Sequence, residues 1–445
     1  MKKFNIKCIL ALAIILLCAL LLCSCNSFEK QLEKMSEKER GLAIAEKASY
    51  EMDNLSSYRS SASLSLAFSY VERISLDVTS NDVLYAKGTD DHYEYKEMKI
   101  TSGDVTDTLI EGFSRGKMFK SDGKTKVYSK LPIGEYLDHV NLLYSLSNPS
   151  DLNPPTRVTC KKRTSEECYR IKFSGFDEEA IKYICTEVLA DLPKYYESAF
   201  KVTDITVSIT VSLDYKLTSL KFELEHESLV NSIIAFPVIE ASFEYTDHNA
   251  VKKEDVERIS FDDYKDVSDL RLLDLAKRDV DAIVDSSCMD FDSSISTTGY
   301  NQAYTGRLDN LLRGLEFEIK QGSQEIKYRN GELLTGSPSN VELGEYEAKQ
   351  YLKTVIIPIS FSFTDVVKCE VSEAGDIRTY TFTYNGVDDS LTSGLNSSQI
   401  ESQSATLTIV LTNGEVTEFL YKASIYVKNY GTIPFTIKST FTYYE

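Results

Sequence analysis

The chain has 445 residues, 42% hydrophobic and 26% charged, with nine prolines and no tryptophan, a composition that builds globular cores rather than disordered segments. A formal net charge of −19 makes a surface repelled by phosphate backbones and anionic head groups, and no basic run with interleaved aromatics breaks it, which argues against nucleic acid as a partner. One hydrophobic core rarely organises a chain this long, so two domains are predicted.

Lys2, Lys3 and Lys7 precede an uncharged apolar run from Cys8 to Leu22, which closes on Leu22-Cys23-Ser24-Cys25. Such a run suits a signal core and is short for a membrane span. The segment resembles a bacterial lipoprotein signal peptide, with leucine three positions before Cys25 and serine directly before it. The resemblance implies cleavage after Ser24, acylation of Cys25, and a lipid-anchored protein on the extracytoplasmic face of a bacterial cell membrane. Residues 1–24 are then the signal peptide and 25–39 the lipidated N-terminus and tether. An ordinary secretory signal and an N-terminal membrane anchor are the alternatives. Loss of residues 1–24 removes three lysines and no acid, leaving the mature chain more acidic still.

Ser36 followed by Glu39 predicts a capping box, and Leu42, Ala45, Ala48, Met52 and Leu55 then recur at helical spacing. Strand patterns follow at Tyr58–Tyr70, Leu109–Phe119, Thr206–Leu213, Leu217–Leu224 and Ile239–Tyr245, then at Arg378–Tyr384, Ser404–Leu411, Glu415–Val427 and Phe435–Tyr444. Asp122-Gly123, Asn330-Gly331, Asn385-Gly386 and Asn413-Gly414 supply the residues that tolerate positive φ in tight hairpin turns. Tyr136–Tyr144 and Tyr346–Val355 carry helical periodicity, as does Glu178–Leu192, whose face of Ile181, Ile184, Cys185, Val188 and Leu189 is apolar. Cys160 and Cys168 flank a polar stretch suited to a hairpin loop. They read either as a disulfide across two strands or as two small buried thiols.

The chain repeats itself. Phe113-Ser-Arg-Gly116-Lys-Met-Phe119 parallels Tyr328-Arg-Asn-Gly331-Glu-Leu-Leu334, and Leu131-Pro-Ile-Gly134-Glu-Tyr136 parallels Val341-Glu-Leu-Gly344-Glu-Tyr346. Val158-Thr-Cys160 matches Val367-Lys-Cys369, Tyr169 to Glu178 matches Tyr380 to Asp389, and Ala241 to Tyr245 matches Ser439 to Tyr443. Collinear matches predict two tandem copies of one β-rich domain, residues 40–250 and 265–445, joined by 251–264.

An opening helix, meandering strands, a mid-domain helix and closing strands resemble the bacterial lipoprotein-carrier fold of the LolA and LppX/LprG type. The implied class is α+β and mostly antiparallel β, two tandem copies of a curved half-barrel sheet packed on helices. The resemblance implies an apolar ligand or lipid in a cavity below the sheet, and the apolar helix face of Ile181, Ile184, Val188 and Leu189 makes the first copy the expected place for it. A surface-displayed interaction lipoprotein, binding a protein or glycan partner, is the alternative reading. His92, His139, His226 and His248 show no metal spacing, and no nucleophile elbow, phosphate loop or cofactor motif occurs. The sequence therefore predicts no enzyme, no metal and no cofactor.

Overall fold

The computed structural model describes residues 28–69, 73–103, 105–144, 154–181, 184, 200–228, 239–256, 259–286, 288–310, 314–334, 341–342, 345–359, 364–388, 391–392 and 399–444. The first sheet is built from β1 (Tyr58–Ser69), β2 (Arg73–Tyr85), β3 (Tyr93–Ser102), β4 (Val105–Ser114), β5 (Lys117–Ser121), β6 (Lys126–Lys130), β7 (Arg157–Arg163), β8 (Cys168–Ser174), β9 (Phe200–Ser212), β10 (Leu217–Ser228), β11 (Ile239–Thr246) and β12 (Lys265–Asp266). The second is built from β13 (Cys288–Thr297), β14 (Tyr300–Asp309), β15 (Glu316–Gln321), β16 (Gln324–Arg329), β17 (Glu332–Leu334), β18 (Val341–Glu342), β19 (Val366–Ala374), β20 (Ile377–Tyr384), β21 (Ile400–Thr412), β22 (Glu415–Val427) and β23 (Gly431–Tyr443).

Strand order in the first sheet is β12-β6-β5-β4-β3-β2-β1-β11-β10-β9-β8-β7, and in the second β18-β17-β16-β15-β14-β13-β23-β22-β21-β20-β19. Apart from β12, the two orders superpose strand for strand, β1 on β13 through β11 on β23. The fold is thus α+β, mostly antiparallel, and repeated in tandem. The Phe113–Phe119 and Tyr328–Leu334 motifs fall on equivalent hairpins, β4–β5 and β16–β17, Val158–Cys160 and Val367–Cys369 on the edge strands β7 and β19, and Ala241–Tyr245 and Ser439–Tyr443 on β11 and β23. The β4–β5 hairpin turns at Arg115-Gly116 (φ 52° and 72°) and its counterpart at Asn330-Gly331 (φ 54° and 80°), so Leu109–Phe119, which reads as one strand, is two. The short strand β12 belongs to the first sheet, because Lys265 and Asp266 pair in parallel with Val127 and Tyr128.

The sheets carry the helices α1 (Glu37–Asp53), α2 (Ile133–Tyr144), α3 (Arg271–Asp281) and α4 (Glu345–Ile356). Ser36 caps α1 reciprocally, its Oγ accepting from Glu39 N at 3.3 Å while Ser36 N donates to Glu39 Oε2 at 2.9 Å. The helix buries Gly41, Ile44 and Ala48 against the β7–β9 end of the sheet. Gly41 is required there because a Cβ would stand 2.6 Å from Val158 Cγ1. Apolar periodicity locates this helix, and the close approach at Gly41 rotates its buried face slightly from the Leu42, Ala45, Met52 stripe.

The helix α3 opens the second repeat, yet it also packs on the first. Leu270, Leu273 and Ala276 share one contiguous core with Phe113, Met118, Val127, Leu131 and Tyr136 of the first repeat and with Phe382, Ile409 and Phe419 of the second. Polar contacts reinforce this junction: Val267 N donates to Tyr128 O at 2.8 Å, Thr364 Oγ1 to Asp122 Oδ2 at 2.7 Å, and Arg271 Nη1 to Glu135 Oε2 at 2.8 Å.

Candidate functional site

Side chains alternate across a strand, so one register row of a sheet can be followed residue by residue along a single face. On the inner face of the first sheet one such row runs Tyr245, Ser60, Asp82, Lys96, Glu111, Lys120, crossing β11, β1, β2, β3, β4 and β5. Counted strand by strand from the equivalent Tyr443, the row of the second sheet reads Met289, Leu308, Phe317, Tyr328, Leu333. Four ionisable residues and a serine thus occupy positions that are apolar or aromatic in the other copy.

Flanking this row on the same inner face are two rows of mostly apolar residues. The nearer is Leu220, Phe243, Ala62, Ser80, Met98, Leu109, and the farther is Phe222, Ala241, Leu64, Val78, Ile100. Leu220, Phe222, Phe243, Ile100 and Leu109 remain partly exposed around the buried Leu64, Val78 and Met98. The two phenylalanines have sealed counterparts in the second repeat: Phe419, in the place of Phe222, is 0% exposed, and Phe441, in the place of Phe243, is 4% exposed, whereas Ile326, in the place of Leu109, is partly exposed like it. A reason lies in how the mid-domain helix docks. Ile356 O at the end of α4 accepts from Ser439 Oγ at 2.5 Å and Ser293 Oγ at 3.4 Å, pinning the helix over β13 and β23. The first repeat has Ala241 and Leu64 at those two register positions, which offer no hydroxyl.

The polar row changes character along its length. Asp82 accepts from Ser80 Oγ at 2.7 Å and Ser60 Oγ at 3.2 Å, and burial raises its pKa in spite of both bonds and nearby Lys96. Lys96 and Glu111 stand 4.0 Å apart and partly in solvent, a screened pair of small net energy. At the far end Lys120 Nζ donates to Asp274 Oδ1 of α3 at 2.6 Å, and His139 Nε2 of α2 lies 3.2 Å from Asp274 Oδ2. Burial would raise the Asp274 carboxyl, but Lys120 and then His139 outweigh it and hold the pKa at about 2. This end joins the two repeats, whereas the Asp82 end faces the partly exposed apolar rows.

The sequence predicts a lining at Ile181, Ile184, Val188 and Leu189. Ile181 and Ile184 pack, half-buried, on the core of the first repeat. Val188 and Leu189 lie outside the described residues, as does Cys25. Cys160 and Cys168 are buried free thiols: Cys160 pairs in register with Ile171 and Cys168 with Arg163, so the two do not face each other across the hairpin. Among the described residues no helix is long and apolar enough to cross a membrane. No three His, Cys, Asp or Glu side chains among them converge as metal ligands.

Nothing in composition singles out Asp82, Lys96 and Glu111. The local signal is in Tyr93-Glu-Tyr-Lys-Glu-Met-Lys-Ile100, where a period of two puts Lys96 on the same face as Met98 and Ile100.

Two other features compete with the inner face. A cleft of about 630 Å³ opens over β13–β16, but its charges neutralise one another across strands, Arg329 with Glu316 at 2.8 Å and Lys327 with Glu318 at 3.4 Å, as on a solvated surface. Large exposed tyrosines are scattered, with Tyr50 on α1, Tyr300 at the β13–β14 turn and Tyr426 and Tyr430 at the β22–β23 turn. Many others, among them Tyr93, Tyr136, Tyr169, Tyr328, Tyr380, Tyr384 and Tyr421, are buried.

The chain matches no protein-family model and no curated protein. Among solved structures it is similar to LprF from Mycobacterium bovis at 10% identity, over 49% of this chain and 97% of that one, with a TM-score of 0.26. It is similar to the Bacteroides fragilis NCTC 9343 protein BF2706 at 10% identity, over 88% and 98%, with a TM-score of 0.20. It is also similar to the Pseudomonas aeruginosa MucA/MucB complex structure at 5% identity, over 90% and 94%, with a TM-score of 0.20.

Proposed function

We propose that this chain is a non-catalytic, lipid-anchored envelope protein whose first repeat binds an amphiphilic lipid on the inner face of its sheet. The supporting observation is the row Ser60, Asp82, Lys96, Glu111, polar where the second repeat has Met289, Leu308, Phe317 and Tyr328. A sheet face that only needs to close a core does so with apolar side chains, because charged groups inside cost several kcal/mol each. The second repeat follows that rule. Keeping carboxylates and an ammonium beside Phe243, Phe222, Met98 and Ile100 suits a ligand with the same division, its chains on the apolar rows and its head group on the polar one. Completing the burial of a partly exposed phenylalanine contributes about 1 kcal/mol, so several such contacts together support binding.

Native mass spectrometry of the protein purified from its own membranes tests the reading. The expected result is a retained lipid that is lost when Asp82 and Lys96 are exchanged for the second repeat's residues, Asp82→Leu with Lys96→Phe. Protein free of lipid, with an inner face filled by side chains, would favour the interaction-protein reading.

A further inference from the structure

In a chain of net charge −19, positive charge gathers at one corner of the first sheet. Strand β7 is an edge of that sheet. Its outward side chains Arg157, Lys161 and Arg163, with Arg170 and Lys172 of β8, are all exposed. Lys161 faces Arg170 in register, and Lys172 faces Thr159. The next outward positions, Thr210 and Ser208 of β9, bring hydroxyls and no acid. Glu166 pairs with Arg170 at 2.6 Å, whereas Arg157, Lys161, Arg163 and Lys172 form no ion pair among the described residues. Like charges side by side on adjacent strands repel each other, so this arrangement does not serve sheet stability.

The same corner holds the start of the described chain. Glu29 accepts from Tyr215 Oη at 3.0 Å and Tyr169 Oη at 3.2 Å, with Lys162 Nζ at 3.6 Å, and the Phe28 ring packs edge-on against Tyr215. Cys25 stands three residues before Phe28, a reach of about 10 Å. That is about two strand spacings of about 4.8 Å, so an acyl anchor on Cys25 is held close to this corner.

We infer that the outer face of β7 and β8 is a membrane-docking surface for anionic lipid head groups, laid on the bilayer by the Cys25 anchor. The inference rests on the anchored-protein reading and adds an orientation to it. The acidic remainder of the surface is repelled by the same head groups, so the basic corner fixes which side of the first repeat faces the bilayer. The inner face and its polar row, on the other side of the sheet, are left clear.

The test uses the full chain purified with its native N-terminus and reconstituted into vesicles of phosphatidylcholine alone or with phosphatidylglycerol. An amine-reactive label read by mass spectrometry compares Lys161 and Lys172 with Lys99 and Lys438, which are exposed elsewhere. On phosphatidylglycerol vesicles at low salt, labelling of Lys161 and Lys172 should fall about threefold or more and recover at about 0.5 M salt, where charges beyond a few ångströms are screened. It should not fall on phosphatidylcholine. The variant Arg157→Glu with Arg170→Glu, checked for folding by circular dichroism, should label alike on both vesicles. Retention on both vesicles through a salt wash, with no selective protection, overturns the docking surface and spares the anchor. Release from both by the wash overturns the anchor reading and the docking with it.

Discussion

The same register row in the two repeats carries opposite chemistry. In the second repeat Met289, Leu308, Phe317 and Tyr328 complete a core sealed by α4, with Leu308 at 0% exposure. In the first, Ser60, Asp82, Lys96 and Glu111 stand in those places, and the neighbouring Phe222 and Phe243 keep part of their rings in the open. One backbone topology thus supports both a closed core and an open amphiphilic face. Side-chain chemistry along one row, together with the serine pair that holds α4, distinguishes them.

The most severe way to break the comparison is to write the second repeat's residues into the first. Asp82→Leu with Lys96→Phe should lower lipid binding tenfold or more, which corresponds to about 1.4 kcal/mol or above, while thermal unfolding shifts upward because buried charge is replaced by apolar contact. Binding unchanged in titration with a fluorescent lipid would remove the row from the site.

The junction between repeats comes next. Asp274→Asn removes the nearer counter-charge of buried Lys120, leaving only Glu111 at 3.8 Å, and should cost about 3 kcal/mol, read by urea unfolding. Lys120→Leu combined with Asp274→Leu, which imitates Leu333 of the second repeat, should recover most of that loss. The pH dependence follows from the same carboxylate. Its folded pKa of about 2 lies below the unfolded value of about 3.9, so its stabilisation is complete above about pH 4 and disappears as pH falls towards 2. Such a shift is worth about 2.6 kcal/mol, and the acid limb of unfolding should flatten by about that amount in Asp274→Asn.

Smaller effects sharpen the picture of the first repeat's own helix. Gly41→Ala forces a methyl against Val158 and should cost about 1–3 kcal/mol, whereas Ser36→Ala removes one cap bond at about 1 kcal/mol. If Gly41→Ala melts like the parent, α1 is free to shift on its sheet, and the first repeat is looser than its contacts imply.

Much of the architecture was legible in the order of residues. The duplication was legible because turn chemistry resists change: Arg115-Gly116 and Asn330-Gly331 must both reach positive φ, and the closing strands keep phenylalanine and tyrosine two residues apart. The strands β2 and β3 are not legible in the sequence, since Asp77, Asn81, Asp82 and Lys96 blur the alternation that marks a strand. The polar row was hidden for the same reason, because a charged residue at an inward position looks like a solvent-facing one until the register is known.

Local chemistry in the sequence by itself determined the lipobox-like N-terminus, the capping box at Ser36, the hairpin turns and the tandem repeat, since each depends on residues close together in the chain. Tertiary structure alone decided that Ser60, Asp82, Lys96, Glu111 and Lys120 share one row, that Cys160 and Cys168 stay apart, and that α3 serves both repeats. Those facts are set by pairing register between strands distant in sequence, where a shift of one residue turns every side chain to the other face.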